Sequence, residues 1–156
     1  MIQILKDSDT RPWFFLQTAH TTYGMWVMET GHLEHLYYGE RITVDSQDSS
    51  SCAPLVIQRA FAPGNTCTYD REHPQISMED VCLEVGTLGK GDIREPFLEV
   101  RFDDGSVTSD FTFDSYEVIT LKEREQCLQD SGLPHSYSEV GTDSAECLQI
   151  VLQDVT

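Results

Sequence analysis

Short runs in which apolar and polar residues alternate recur along the chain, and the most informative one lies within Glu29–Ile42. Neighbouring side chains of an extended strand point to opposite faces. The alternation assigns Leu33, His35 and Tyr37 to one face and Glu34, Leu36 and Tyr38 to the other. Both faces are partly apolar, which is typical of a strand covered on both sides in layered β structure. Gly39 follows this run and predicts a bend or bulge.

Two earlier runs lead into this central strand. Trp13–Thr18 is short and aromatic, and Thr21–Glu29 alternates apolar side chains between its two faces. Thr30 and Gly31 have the composition of a turn. We therefore expect these three segments to form an antiparallel meander.

The second half of the chain predicts further strands. Phe97–Phe102 and the return run Val107–Phe113 flank the turn Asp103–Ser106, which is the clearest hairpin signal. Other strands are predicted at Val81–Val85, Tyr116–Leu121 and Glu146–Val155, and long surface loops at Asp45–Ser51 and Glu123–Ala145.

No segment of a dozen residues carries a helical apolar stripe, so the sequence predicts an all-β fold. Many short antiparallel strands indicate a single β-sandwich domain over residues 1–156. The last strand ends almost at Thr156, and a strand needs partners or a protected edge. We therefore expect the chain to be truncated before the domain is complete.

The negative net charge of the chain disfavours two classes of binding partner. The chain has 27 acidic against 10 basic residues and a formal net charge of -17, so it repels nucleic-acid phosphates and anionic lipid surfaces. Its apolar runs are too short for a signal peptide or a membrane span. Five cysteines, an odd number without a C-x-x-C pair, argue against a disulfide framework or a zinc site and favour reduced cytosolic thiols.

Motifs for catalysis, metals and cofactors are not found in the sequence. His32 and His35 are separated by an odd number of residues and would lie on opposite faces of a strand, which disfavours a metal pair. Asp103 and Asp104 form an acidic pair, yet aspartate is common in turns for local reasons. The glycine-rich stretch Gly86–Pro96 lacks the spacing of a phosphate-binding loop. We predict no catalytic residue, no metal ligand and no cofactor.

One loop combines donors, acceptors and rings. Ala62–Asn65 has turn chemistry, and Arg59, Phe61, Tyr69 and Asp70 lie around it. Such a loop could bind a polar ligand. The alternative is a structural turn whose polar side chains satisfy their own backbone.

Five blocks in a fixed order carry a resemblance to a known family. They are Glu29–Gly39, Arg59–Asn65, Gly89–Pro96, Asp104–Ser106 with Ser109–Phe111, and Gly132–Pro134. Together they resemble the N-terminal region of bacterial α-galactosidases of glycoside hydrolase family 36, from about Phe15 to the last residue. The resemblance implies a β-supersandwich that precedes a (β/α)8 catalytic barrel in a long, cytoplasmic and usually tetrameric enzyme.

In that family two aspartates of the barrel cleave α-galactosides such as raffinose and melibiose, and neither lies in this chain. The resemblance places the loop Gln58–Asn65 beside the sugar cleft. Relatives often carry an acidic residue where this chain has Gln58. We expect a polar contact from Arg59, with Phe61 and Asn65 shaping the loop; a purely structural turn is the alternative.

Our leading hypothesis is a non-catalytic module that assembles subunits and shapes the sugar cleft of an α-galactosidase. One rival is an autonomous carbohydrate-binding sandwich with an exposed platform of rings. Its candidate rings are Trp13, Trp26, Tyr37, Tyr38 and Tyr69. Another is a self-associating structural domain.

Overall fold

Four antiparallel strands in chain order form the central sheet. The computed structural model describes residues 1–45, 49–57, 68–92, 95–120 and 146–156. The strands are β1 (Ile2–Lys6), β2 (Pro12–Gln17), β3 (Thr21–Val27) and β4 (Leu33–Glu40), paired in the order β1-β2-β3-β4. The predicted meander of three strands is confirmed. Strand β1 was not predicted; its five residues pair with β2 from Ile2–Leu16 to Lys6–Pro12.

The turn between β3 and β4 depends on Gly31. Its φ of +83° lies in the left-handed region, and its N–H donates to the Met28 carbonyl at 2.9 Å. A Cβ at this position would also approach Thr112 Cβ to 3.2 Å. The Gly31 carbonyl accepts a hydrogen bond from the Phe113 N–H at 2.7 Å, so this turn is tied to a later strand.

A bulge in β4 changes the predicted assignment of its faces. Tyr37 pairs with Gly24 and His35 with Met25, which leaves Leu36 as the extra residue. One extra residue reverses the alternation beyond it. Tyr38 therefore shares a face with His35 and contacts Tyr23, with a ring distance of 6.0 Å. The predicted positions of Tyr37 and Tyr38 were wrong, as was the prediction of a bulge at Gly39, which pairs regularly with Thr22.

Both faces of the sheet bury apolar side chains, as predicted. On one face a short 3₁₀ helix, Ser49–Leu55, covers the core. The buried residues there are Leu5, Trp13, Phe15, Val44 and Cys52. Asp45–Ser51 is thus not wholly a loop, because Ser49–Ser51 begin this helix.

A two-stranded ribbon covers the other face. Its strands are β7 (Phe111–Thr120) and β8 (Glu146–Asp154), antiparallel along their whole length. Phe113, Tyr116, Leu148 and Ile150 of the ribbon pack against Phe14, Met25, Val27 and Leu33 of the sheet. These two layers confirm the predicted all-β, antiparallel sandwich. The ribbon also supplies β8 with a partner.

Two predicted strands, Val81–Val85 and Phe97–Phe102, do not form in the structure. Val81–Val85 instead lies along the edge of β4 through two backbone bonds, from the His35 N–H to the Cys82 carbonyl and from the Glu84 N–H to the Leu33 carbonyl. Beyond it, β5 (Thr87–Leu88) and β6 (Gly91–Asp92) form a short parallel pair.

The predicted hairpin around Asp103–Ser106 keeps only its turn, in which the Phe102 N–H donates to the Ser106 carbonyl at 3.0 Å. Leu98 pairs with the Gly86–Thr87 backbone instead of with a returning strand, and Phe97 is 79% exposed. Of the predicted return run Val107–Phe113, only Phe111–Phe113 form a strand, and they belong to β7 together with Tyr116–Thr120 of the next predicted strand. Leu121 and the predicted loop Glu123–Ala145 lie outside the described residues. The description resumes at Glu146, where β8 begins.

Within these described ranges, the longest helix is a short 3₁₀ turn, and no helix has the length and apolar character needed to cross a bilayer. Cys52, Cys82 and Cys147, the cysteines of the described part, form no disulfide.

Candidate functional site

The four residues predicted to border a sugar, Gln58, Arg59, Phe61 and Asn65, lie outside the described residues. The structure describes the chain on either side of them, up to Ile57 and again from Thr68. These two flanks connect the candidate loop to the described fold.

The first flank is packed against the sheet. The 3₁₀ helix Ser49–Leu55 ends there, and the Val56 N–H donates to the Ala53 carbonyl at 3.1 Å. Val56 packs against the core, whereas Ile57 is 62% exposed. Both line an open groove of about 240 Å³ beside Trp26.

Trp26 forms one wall of this groove. Its Nε1 donates to the buried Glu34 carboxylate at 2.9 Å, and the Arg11 guanidinium lies 6.0 Å from the ring centroid. Its ring also packs against Trp13 at 4.9 Å. These contacts on several sides of the indole fix its orientation.

The second flank returns to the same groove. Thr68 pairs with Ser77, and the Tyr69 N–H donates to the Ile76 carbonyl at 2.8 Å. Ile76 is buried and lines the groove together with Ile57. The groove is thus lined by the end of the first flank and by the segment to which the second flank is hydrogen-bonded.

Tyr69 belongs to a buried polar cluster centred on Asp110. One carboxylate oxygen, Oδ1, lies 2.7 Å from His32 Nε2. The other, Oδ2, accepts the Tyr69 hydroxyl at 3.0 Å and lies 3.3 Å from Lys90 Nζ. The Asp110 backbone adds bonds to the end of β8, through the Asp154 carboxylate and the Val155 N–H. One residue thus joins four separate parts of the chain.

The charges in this cluster stabilise each other. Burial on its own raises the pKa of Asp110, but the hydrogen bond and charge of His32, the charge of Lys90 and the Tyr69 hydrogen bond outweigh it and lower the pKa to about 2. Burial, and then the negative charge of Asp110, raise the pKa of Tyr69 to about 12. Near neutral pH the carboxylate is ionised and the phenol donates.

This cluster is structural, because its imidazole is buried and a substrate has no access to it. His32 is 2% exposed, and its second nitrogen, Nδ1, bonds the Thr30 hydroxyl at 2.8 Å. Ser109 is next in sequence to Asp110, yet its Oγ has no hydrogen-bond partner in the described part of the chain. A nucleophilic serine is hydrogen-bonded to its base. The arrangement is not that of a Ser-His-Asp triad.

A second cluster lies at the edge of β4. Tyr23 donates to both oxygens of Glu84 at 2.6 Å, and His35 Nδ1 lies 3.2 Å from the same carboxylate. Burial, followed by the Glu84 hydrogen bond, raises the pKa of Tyr23. His32 and His35 thus bond different carboxylates. Among the described residues no group of three His, Cys, Asp or Glu side chains could hold a metal ion.

The glycosyl hydrolase family 36 N-terminal domain, as a family model, matches residues 31–156. The chain belongs to this family. It is 36% identical over 143 residues to the bifunctional alpha-galactosidase/sucrose kinase AgaSK of Mediterraneibacter gnavus, which covers 90% of this chain and 14% of that protein. It is 30% identical over 141 residues to the alpha-galactosidase AgaA of Geobacillus stearothermophilus, covering 90% of this chain and 18% of that protein.

The solved galactosidase domain of AgaSK superposes with a TM-score of 0.69 at 29% identity, over 97% of this chain and 19% of that one. This chain thus spans less than a fifth of the length of each of these relatives.

Sequence reasoning missed the Asp110 cluster, although the signal was present. Thr30 and His32, Lys90, and Asp110 belong to three of the blocks that carry the family resemblance. The fold brings these separated blocks together at one buried carboxylate. Their convergence was hidden because 78 residues separate His32 from Asp110.

Proposed function

We propose that residues 1–156 form the N-terminal domain of a larger α-galactosidase, in which a (β/α)8 barrel elsewhere in the polypeptide cleaves terminal α-galactosides. The family match over residues 31–156 is the observation that carries this proposal. The role of the domain is to assemble subunits and to shape the sugar cleft. The burial of His32, which is 2% exposed, supports a non-catalytic role for the cluster that it forms with Asp110.

The cleft-shaping role is assigned to the loop that contains Gln58, Arg59, Phe61 and Asn65. Its support is the anchoring of both flanks beside Trp26, since a ligand contact needs a supporting frame that does not move. Arg59 offers planar donors to sugar hydroxyls, and Gln58 and Asn65 offer amides.

The assembly role comes from the family resemblance. It predicts that a neighbouring subunit covers exposed apolar side chains such as Phe97, Phe102 and Val155, which are 79%, 38% and 54% exposed in this chain. Within this proposal the protein is a homo-oligomer in the cytoplasm, as the family resemblance implies.

The rival function, an autonomous carbohydrate-binding module, requires a platform of exposed rings. Trp13 is 5% exposed, Trp26 is packed between other side chains, and Tyr69 is bound to Asp110. Of the five candidate rings, Tyr38 is 70% exposed, and it lies on the face of β4 opposite to its neighbour Tyr37. This arrangement favours packing over recognition of a sugar by these rings.

The sugar contact is tested by Arg59→Ala in the full-length protein that carries this domain. We expect KM for raffinose to rise about tenfold while kcat changes little, because the lost contact binds substrate and transition state alike. Arg101→Ala, at an exposed position just before the turn Asp103–Ser106, is the matched control and should leave KM unchanged. An unchanged KM in Arg59→Ala would refute the sugar contact.

Titration calorimetry of the 156-residue chain with galactose and raffinose separates the leading proposal from its rival. Our proposal predicts no sub-millimolar binding. Sub-millimolar affinity of the isolated chain would favour the autonomous module. Light scattering of the same sample measures self-association, which the third hypothesis requires of this chain alone.

A further inference from the structure

The two outer edges of the central sheet differ. The edge of β4 is covered by the segment Val81–Val85, which bonds its backbone at Leu33 and His35. Among the described residues no strand pairs with the outer edge of β1. Such an edge presents unpaired N–H and carbonyl groups, which are a template for pairing with another strand.

The register with β2 determines which groups of β1 point outward. Met1 and Gln17 exchange both backbone hydrogen bonds, at 3.0 and 2.9 Å, and hydrogen-bonded positions alternate along an antiparallel pair. Ile2, Ile4 and Lys6 therefore direct their N–H and carbonyl groups away from β2. These three residues form the free edge of the sheet.

The end of the ribbon lies beside this edge and is incompletely covered. The Ile2 N–H donates to the Glu146 carboxylate at the start of β8, at 2.8 Å. Val118 pairs with Leu148, which follows shortly after Glu146 in β8, so both side chains point toward the sheet. Leu148 packs against the core, whereas Val118 is 41% exposed. An apolar side chain on the inner face of the ribbon is therefore left uncovered near the free edge of β1.

The free edge carries opposite charges at its two ends. Glu146 lies at Ile2, and the exposed Lys6 ends the strand. The Lys6 side chain lies on the same face as that of Ile4, which packs toward the ribbon, because side chains two positions apart share a face. A second β1 strand running in the opposite direction would bring each charge next to the other.

We propose that two copies of this chain associate through β1, with the two strands antiparallel about a two-fold axis at Ile4. Ile4 then faces the partner's Ile4, Ile2 faces the partner's Lys6, and the outward groups of each pair exchange backbone hydrogen bonds. The partner's Lys6 comes to lie beside Glu146, with its aliphatic stem against Val118. Each copy supplies both halves of the contact, which is the requirement for a two-fold interface.

This inference deepens the assembly role of the proposed function, because it names a surface through which subunits meet. The net charge of -17 on each copy opposes association at long range. At about 0.15 M ionic strength, exposed charges more than about 8 Å apart are largely screened. The backbone pairing and the contact between Lys6 and Glu146 act at shorter range, so they decide whether the copies associate.

A charge exchange tests this pairing in the full-length protein that carries the chain. Lys6→Glu turns two symmetry-related attractions into repulsions. We expect it to raise, at least about tenfold, the concentration below which the particle mass halves in sedimentation velocity. Adding Glu146→Lys restores opposite charges across the interface and should restore the wild-type concentration. Lys6→Glu with Glu40→Lys is the matched control, because it has the same net charge but changes an exposed position at the end of β4, and it should not restore association.

Ile4→Pro tests the backbone pairing separately. The Ile4 N–H points away from β2, so proline leaves the pairing of β1 with β2 intact and removes the donor that the partner needs. We expect the particle mass to halve while the circular dichroism spectrum stays that of wild type. Ile4→Val keeps the N–H and should keep the wild-type mass. Should Ile4→Pro not fold, the charge exchange decides the question alone.

The outcomes separate the inference from the proposed function. If the full-length protein is a monomer, the inference and the assembly role both fail, while hydrolysis of an α-galactoside tests the remainder of the proposed function. If it is an oligomer whose mass responds to neither Lys6→Glu nor Ile4→Pro, subunits assemble through another surface, so the inference fails and the assembly role stands. A loss of association in Lys6→Glu that Glu146→Lys does not restore also overturns the proposed register.

Discussion

Removing the charge at the centre of the polar cluster, by Asp110→Asn, should destabilise the fold in a way that depends on pH. Asparagine has nearly the shape of aspartate and still accepts a hydrogen bond through one oxygen. It cannot supply the negative charge that His32 and Lys90 face. The variant therefore resembles the native protein with this one carboxyl protonated.

The pKa of Asp110 gives the magnitude. Its value in the folded protein is about 2, against 3.8 for the free side chain. This lowering of the pKa, at about 1.36 kcal/mol per pKa unit, corresponds to about 2 kcal/mol of stability from the ionised form. For a domain of this size that loss lowers the melting temperature by roughly 4–8 °C.

The sign of the pH dependence follows from the lowered pKa. The stabilisation is fully present above about pH 4, where the unfolded carboxyl is ionised, and it is lost as the pH falls through about 2, where the folded carboxyl takes up a proton. The difference in unfolding free energy between wild type and variant should shrink from about 2 kcal/mol at pH 7 to near zero at pH 2.

Urea denaturation followed by circular dichroism from pH 2 to pH 7 measures this difference. Asp103→Asn makes the same change of charge at an exposed turn position and should match wild type throughout. Equal stability of Asp110→Asn and wild type at pH 7, or a loss that stays constant down to pH 2, would refute the electrostatic explanation.

Two further substitutions test the turn and the core. Gly31→Ala should cost about 1–3 kcal/mol, more than Gly105→Ala, because both glycines have positive φ but only Gly31 would place a Cβ against Thr112; equal melting temperatures would contradict this reading of the β3–β4 turn. Phe14→Ala should cost about 3–5 kcal/mol in urea denaturation, whereas Phe97→Ala, at an exposed position, should stay within about 0.5 kcal/mol; a small loss at Phe14 would argue against the packing of the ribbon on the sheet.

Strand existence could be predicted from the sequence where alternation was strong. The meander and β8 follow their apolar patterns, because the pattern itself decides which face is buried. The faces of Tyr37 and Tyr38 could not be predicted, since a single unpaired residue at Leu36 reverses them without a mark in the pattern. A bulge is a property of the pairing between two strands, and one strand alone does not reveal it.

The segment around Phe97–Phe102 illustrates a different limit. Its alternation and its Asp-Gly turn satisfy every local requirement of a hairpin. Tertiary contacts prevent the hairpin. Leu98 pairs with the Gly86–Thr87 backbone, and the Thr87 hydroxyl donates to the Ser109 carbonyl at 2.7 Å. Such tertiary pairings override the local propensity of a segment to form a strand. The Asp110 cluster likewise depends on long-range contacts, so no local pattern could predict it.

Hydrolysis of nitrophenyl α-galactoside, measured in parallel for the 156-residue chain and for the full-length protein that carries it, tests the central claim most directly. Our account predicts turnover by the full-length protein and none above buffer by the chain alone, because the catalytic carboxylates are assigned to the barrel. Turnover by the isolated chain, or its absence from the full-length protein, would contradict it.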